Sequence, residues 1–166
     1  NNYIFYGSEK NVSERFFKCA KKFQSDIIIR VTSDCPLIDH RIIDEMLEYF
    51  NNNDCDYLSN AHPPYYPVGL NVEIFTFSAL KKAYTNANKN FEKEHVTPYI
   101  WDNPNIFKVL NFKPSKKLKN LYNTYRLTLD YLEDYILIVT IFKKLYKSNK
   151  RFSFEDILNF LKKNNK

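Results

Sequence analysis

The sequence predicts a mixed α/β fold, with a mainly parallel sheet and helices on both faces, and three observations predict it. Strand-like runs alternate with segments of helical period along the chain. One run, Asp26 to Val31 (DIIIRV), is apolar, β-branched and of the length expected for a strand buried on both faces. A chain of 166 residues with 44% hydrophobic content also suffices for one core without disulfide or metal staples.

The first element is a strand-like run, Tyr3 to Tyr6, with Gly7-Ser8 as a turn after it. From Ser13, Phe16, Phe17, Ala20 and Phe23 recur at helical spacing. DIIIRV is the expected central strand, and the loop Thr32 to Asp39 (TSDCPLID) leaves it. Asp39 can cap the next helix, where Ile42, Ile43, Met46, Leu47 and Phe50 share a face. Asp56 to Asn60 reads as a short strand, Ala61 to Gly69 as a proline-interrupted surface loop, and Leu70 to Phe75 as another strand. Helices are predicted at Ser78 to Tyr84 and at Glu94 to Trp101 around Pro98, with a strand from Ile106 to Phe112 after them. Tyr125 to Leu129 reads as a strand and Leu132 to Tyr146 as a long helix, while Ser153-Phe154-Glu155-Asp156 opens a last helix with a capping-box pattern.

Composition narrows the function. No stretch reaches the roughly 18 to 20 apolar residues of a membrane span. The most apolar segment, Tyr131 to Tyr146, is interrupted by Glu133, Asp134, Lys143 and Lys144. Cys19, Cys35 and Cys55 fit neither a zinc pattern nor a redox CxxC, which points to reduced thiols and the cytoplasm. The formal charge of +6 gathers in Lys113, Lys116, Lys117 and Lys119 and in Lys147, Lys150, Arg151, Lys162, Lys163 and Lys166, among Asn and Ser. That distribution reads as solvated surface. A nucleic-acid binder ranks last, because the aromatic residues track core-facing positions and do not interleave with the lysines. Residue 1 is Asn and the sole Met is Met46, so the chain reads as beginning in mid-domain.

In a parallel α/β sheet, ligands sit beyond the carboxyl ends of the strands. Two expected strands end in an acid: IIIRVTSD delivers Asp34 and YRLTLD delivers Asp130. Such a pair suits Mg²⁺, which takes a few hard oxygen ligands and completes its shell with water and phosphate. Taken singly, each Asp reads rather as a cap on the adjoining turn or helix. Arg30 inside DIIIRV must reach a carboxylate, a phosphate or the sheet edge, since an unpaired buried charge is costly. Glu73 alternates with apolar neighbours in GLNVEIF, either facing solvent or serving the site, and Gly69 upstream permits close backbone approach. Glu94 and His95 sit in the polar FEKEHVTPYI cluster, where His95 could bind an anion or transfer a proton, or be an ordinary hydrogen-bonding His. With only Gly7 and Gly69 present, the chain contains no glycine-rich phosphate cradle.

In order, YGSEKNVSERF, IIIRVTSDCPLID, DYLSN, PVGLNVEIFTFSAL, KEHVTPYI and YRLTLDYLEDYILI resemble the cytidylyltransferase family that makes CMP-activated sugar acids. The similarity is greatest to its spore coat polysaccharide biosynthesis protein F branch, relatives of CMP-KDO synthetase and acylneuraminate cytidylyltransferase. The resemblance implies a nucleotide-diphospho-sugar transferase-like fold, incomplete at the N-terminus, with residues 1–166 the C-terminal portion of a single domain. It implies transfer of CMP from CTP to a sugar acid for surface polysaccharide, Asp34 and Asp130 as the Mg²⁺ ligands, and Arg30, Glu73, Glu94 and His95 at the nucleotide or sugar acid. It further implies a possible homodimer, and a chain that is a poor catalyst alone because the family's nucleotide loop precedes this region. The sequence departs from the family at Ser33 (usually Gly), Val68 (near a usual acid), Asn71 (usually Asp) and Lys93 (usually Arg). Those departures keep open an alternative, a noncatalytic sugar-nucleotide or partner-binding module of the same fold.

Overall fold

The structure is a computed structural model that describes residues 3–113 and 123–164. Of the basic clusters, Lys116, Lys117, Lys119 and Lys166 lie outside those residues. The elements are α1 (Val12–Phe23), β1 (Ile27–Arg30), α2 (His40–Asn51), β2 (Tyr57–Ser59), β3 (Glu73–Thr76), α3 (Phe77–Asn86), α4 (Asn90–His95), α5 (Pro98–Trp101), β4 (Val109–Asn111), α6 (Leu132–Leu145) and α7 (Phe154–Asn164). The chain forms two compact units. The first comprises Asn1–Arg30, Tyr49–Ser59 and Glu73–Phe112, and the second Val31–Glu48, Asn60–Val72 and Lys113–Lys166.

The first unit holds the sheet, an open four-stranded one of order β1-β3-β2-β4. The mixed α/β class holds, but the pairing differs from a mainly parallel sheet: β3 is antiparallel to both β1 and β2, and only β2 and β4 run parallel. The cause lies in the connections. No helix separates β2 from β3, so the chain returns antiparallel, whereas α3, α4 and α5 supply the crossover that a parallel β4 requires. DIIIRV is an edge strand and not the central one, and Ile27 and Ile29 are each 39% exposed. An apolar run does not itself report how many neighbours its strand has.

Side chains two apart on a strand share a face, and the row Ile28, Phe75, Tyr57 across β1, β3 and β2 points into the core of this unit. Leu80, Ile100 and Phe107 join it, and Phe17 of α1 stacks on Phe77 and Tyr84 of α3. Each large side chain so buried stabilises the fold by about 1.5–3 kcal/mol relative to exposure. α1 begins where Asn11 Oδ1 accepts from the Glu14 amide at 3.0 Å, and it ends on Gln24 in the left-handed region. Tyr3 to Tyr6 forms no strand; Tyr3, Ile4 and Tyr6 are exposed, with Tyr3 resting on Phe23. The helix expected over Glu94 to Trp101 is two short helices, because Val96 takes φ 73° and Pro98 restarts the helix as its first residue.

The second unit is helical. Asp39 is buried; its Oδ1 accepts from the Arg41 amide at 3.0 Å and its Oδ2 from the Phe154 amide at 2.7 Å, so one carboxylate ties the start of α2 to that of α7. The capping box of α7 forms as its sequence implies. Ser153 Oγ accepts from the Asp156 amide, and Asp156 Oδ2 accepts from the Ser153 amide, which holds the Asp156 carboxyl below its usual range. Ile138 and Ile141 of α6 are buried, as are Ile157, Leu158 and Leu161 of α7. Tyr125 to Leu129 is not a ladder strand: it makes one bridge, Arg126 to Val68. No helix among the described residues is long and apolar enough to cross a membrane.

Candidate active site

The segment Leu127 to Asp130 is threaded between two loops of the second unit, and its backbone hydrogen bonds say why it cannot pair as a strand. The Leu127 amide donates to the Val68 carbonyl at 2.8 Å, and the Leu129 amide to the Asp34 carbonyl at 2.8 Å. The same Asp34 carbonyl accepts from Thr128 Oγ1 at 3.1 Å, and that hydroxyl lies 3.5 Å from Asp130 Oδ2. Thr128 therefore joins the two acids that the sequence leaves 96 positions apart (130 − 34). Gly69 makes the approach possible. Its φ is 105°, and a Cβ there would lie 2.3 Å from the Leu127 carbonyl carbon and 2.5 Å from the Thr128 amide nitrogen.

Asp130 is held by a residue of the YRLTLD segment to which the sequence alone gives no role. Arg126, four residues earlier, pairs with Asp130 through Nη2 and with Asp134 through Nε at 3.0 Å, and its guanidinium lies 5.2 Å from the centre of the Tyr131 ring. Asp134 accepts from the Asp130 and Tyr131 amides at 3.0 and 3.1 Å. Those amides, the Asp130 one foremost, together with Arg126 hold the Asp134 carboxyl below the usual carboxylate range. The only signal in the sequence is spacing, since YRLTLDYLED places Arg126 four before Asp130 and eight before Asp134.

Asp34 is half-buried on the TSDCPLID loop, and its Oδ1 lies 3.6 Å from Cys35 Sγ. Burial pushes the Cys35 thiol up, so it stays protonated beside the acid. Among the described residues no group of three or more His, Cys, Asp or Glu side chains is arranged to hold a metal ion. Mg²⁺ commonly takes only one or two carboxylates, with waters and substrate phosphates completing its shell.

Arg30 and Glu73 belong to the first unit and meet directly across β1 and β3, where they are register partners. The Arg30 charge is thus satisfied by a carboxylate. Glu73 is 7% exposed and not solvent-facing; its Oε1 accepts from Tyr57 Oη at 2.6 Å and from Thr97 Oγ1 at 2.5 Å. Burial, reinforced by the Glu73 charge, raises the Tyr57 phenol well above its ordinary pKa and keeps it a donor. Thr97 reaches Glu73 from the break between α4 and α5. There Val96, a buried β-branched residue at φ 73°, holds a conformation that persists only where its surroundings impose it. Tyr57 and Thr97 lie in the DYLSN and KEHVTPYI segments, but nothing in those segments assigns either a role; Tyr57 lies one step behind the Ser59–Glu73 pair on the same sheet face.

Glu94 and His95 are exposed on α4. His95 rests on Phe91, with ring centres 4.5 Å apart. Glu94 and Lys93 line an open depression of about 470 Å³ with Glu9, Lys10, Asn11 and Asn90. Glu92, between them and the helix start, accepts from the Asn88 and Lys89 amides. Burial pushes its carboxyl up, but those amides and the Lys89 ammonium outweigh that and bring it below the usual range.

The family model, one curated relative and a solved structure point to one family. The family model described as "Cytidylyltransferase" matches residues 2–162. The chain is 40% identical over 161 residues to the protein MJ1063 of Methanocaldococcus jannaschii, covering 97% of this chain and 63% of that protein. It is 31% identical over 144 residues to the spore coat polysaccharide biosynthesis protein SpsF of Bacillus subtilis, covering 85% of this chain and 57% of that one. Among solved structures it is similar to a cytidylyltransferase from Leptospira borgpetersenii, with a TM-score of 0.88 and 34% identity over 96% of this chain and 66% of the other. The chain thus spans less than two thirds of the length of each of these relatives. A match over nearly every residue, including both segments that bring Asp34 near Asp130, places the chain in the cytidylyltransferase family.

Proposed function

We propose that the chain belongs to a CTP-dependent nucleotidyltransferase that moves CMP to a sugar acid, releasing pyrophosphate. The observation that carries this reading is the joining of Asp34 to Asp130 through Thr128. Asp34 and Asp130 would hold Mg²⁺, which when bound offsets triphosphate charge and orients the α-phosphorus. The chain's own residues do the rest. Thr128 and the Leu129 amide fix the TSDCPLID loop, Gly69 lets the LTLD segment pass close beneath it, and Arg126 orients Asp130. Arg30, Glu73, Glu94 and His95 serve nucleotide or sugar-acid recognition in this reading. Arg30 and His95 are the natural partners for anionic oxygens, His95 when protonated.

The surface-polysaccharide role is supported by the name of the Bacillus relative alone. Cytoplasmic location and a homodimer belong to the same reading, the latter measured by sedimentation. Titration calorimetry with CTP and Mg²⁺, on wild type, Asp34→Ala and Asp130→Ala, tests the metal assignment; unchanged nucleotide affinity in both variants rejects it. Pyrophosphate release with a panel of sugar acids, from this chain and from a longer gene product if one exists, tests the reaction. CMP-sugar binding without pyrophosphate release would favour the noncatalytic module. Release only from a longer product would support the reading of this chain as an inactive part.

A further inference from the structure

The acid and base that meet between β1 and β3 are unequally committed. Glu73 is saturated within the protein: Oε1 takes hydroxyl protons from Tyr57 and Thr97, and Oε2 takes Arg30. A carboxylate with both oxygens so engaged and 7% of the residue exposed has no face left for a ligand. Arg30 is the opposite case. One nitrogen, Nη1, bonds Glu73, its side chain is 17% exposed, and its remaining N–H donors have no protein partner among the described residues. A guanidinium presents five donors in a rigid fork, and a part-buried one with most of them open is suited to a planar or tetrahedral oxyanion. The fork is steadied through Glu73, which holds Arg30 while itself held by other donors. These come from independent elements, Tyr57 on β2 and Thr97 at the α4–α5 break.

We infer that Glu73 is a positioning residue and not a ligand contact, and that it aims Arg30 at an anionic oxygen group, phosphate or carboxylate, of the substrate. The substrate's identity rests on the nucleotidyltransferase reading; the anion site does not. This divides the two residues, which otherwise share one assignment at the ligand.

Calorimetric titration of the chain with inorganic pyrophosphate, and separately with glucuronate as a sugar carboxylate, tests the inference. Arg30→Gln is expected to weaken the recognised probe by about 10- to 100-fold, the worth of a charge-assisted contact. Glu73→Gln is expected to give a similar loss, and the double variant no further loss, because both residues act through one contact. Arg30→Lys retains the ion pair but lacks the fork, so it is expected to lose affinity at an unchanged melting temperature, which a purely structural role would not produce. Should Glu73→Gln fail to fold, Tyr57→Phe and Thr97→Val each remove one donor and are expected to weaken binding by about 2- to 5-fold. A loss confined to pyrophosphate assigns a phosphate, and one confined to glucuronate assigns a carboxylate. Wild-type protein that binds neither probe, or an Arg30→Gln variant that binds as wild type, overturns the inference. Anion binding that depends on Arg30 in a chain with no nucleotide affinity would leave it standing while removing the nucleotidyltransferase reading.

Discussion

Glu73 and Asp130 are both carboxylates paired with an arginine, yet they occupy opposite physical regimes. Glu73 is buried in the first unit, and its two oxygens are divided among a phenol, a hydroxyl and a guanidinium. Asp130 is 45% exposed in the second unit, and its charge is met by Arg126, itself 44% exposed and shared with Asp134. Removing one partner from a buried pair leaves an uncompensated charge and is strongly destabilising, whereas an exposed pair contributes little to stability. The difference teaches where to look for chemistry. An acid that the fold has fully satisfied is part of the scaffold, and one that the fold merely steadies remains open to a cation.

That contrast can be broken at several points. The largest effect is expected from Asp34→Ala and Asp130→Ala in a turnover assay of whichever gene product releases pyrophosphate, a loss of about 10²–10³-fold, typical of removing a group that stabilises developing charge. Their melting temperatures should stay close to wild type; a large drop in both would move Asp130 into the scaffold class. Gly69→Ala comes next. A Cβ 2.3 Å from the Leu127 carbonyl carbon at φ 105° should destabilise by about 2–4 kcal/mol in urea unfolding, and loss of activity should accompany the loss of stability.

Tyr57→Phe removes one donor from a buried carboxylate and should cost about 1–3 kcal/mol, read by the same unfolding experiment. A neutral result would show that Thr97 and Arg30 satisfy Glu73 without it. The smallest effect concerns pH. Asp134 and Asp156 have carboxyl pKa values below their unfolded values, so each contributes stability that is present above the unfolded pKa, near 3.9, and is lost as pH falls through the folded one. The melting temperature should fall as pH drops below about 4, and less steeply in Asp134→Asn and Asp156→Asn.

How much of this is legible in the sequence differs between the same two regions. The helices are legible because their signals are local: the spacing of Phe16, Phe17, Ala20 and Phe23 in α1, the face of Ile42, Met46 and Phe50, and the Ser153–Asp156 box all depend on neighbours within a few residues. The sheet is legible as strands but not as an arrangement. DIIIRV has the same residues whether central or at an edge, and its edge place comes from β3 turning back along it. Tyr125 to Leu129 has strand-forming residues but makes its hydrogen bonds to the Val68 and Asp34 carbonyls. Asp34 and Asp130 are legible as acids at the carboxyl ends of expected strands, although only Asp34 lies beyond a ladder strand. Arg126, Thr128, Tyr57 and Thr97 are not, because their partners lie in space, through contacts no periodicity encodes.

The central claim is that Asp34 and Asp130 serve one cation, and a crystal grown with CTP and Mn²⁺ in place of Mg²⁺ tests it most directly through anomalous scattering. The expected result is a single manganese peak with oxygens of both carboxylates and of the triphosphate in its coordination shell. A peak bound by neither aspartate, or CTP seated with Asp130 still paired to Arg126 and no manganese beside it, would contradict it.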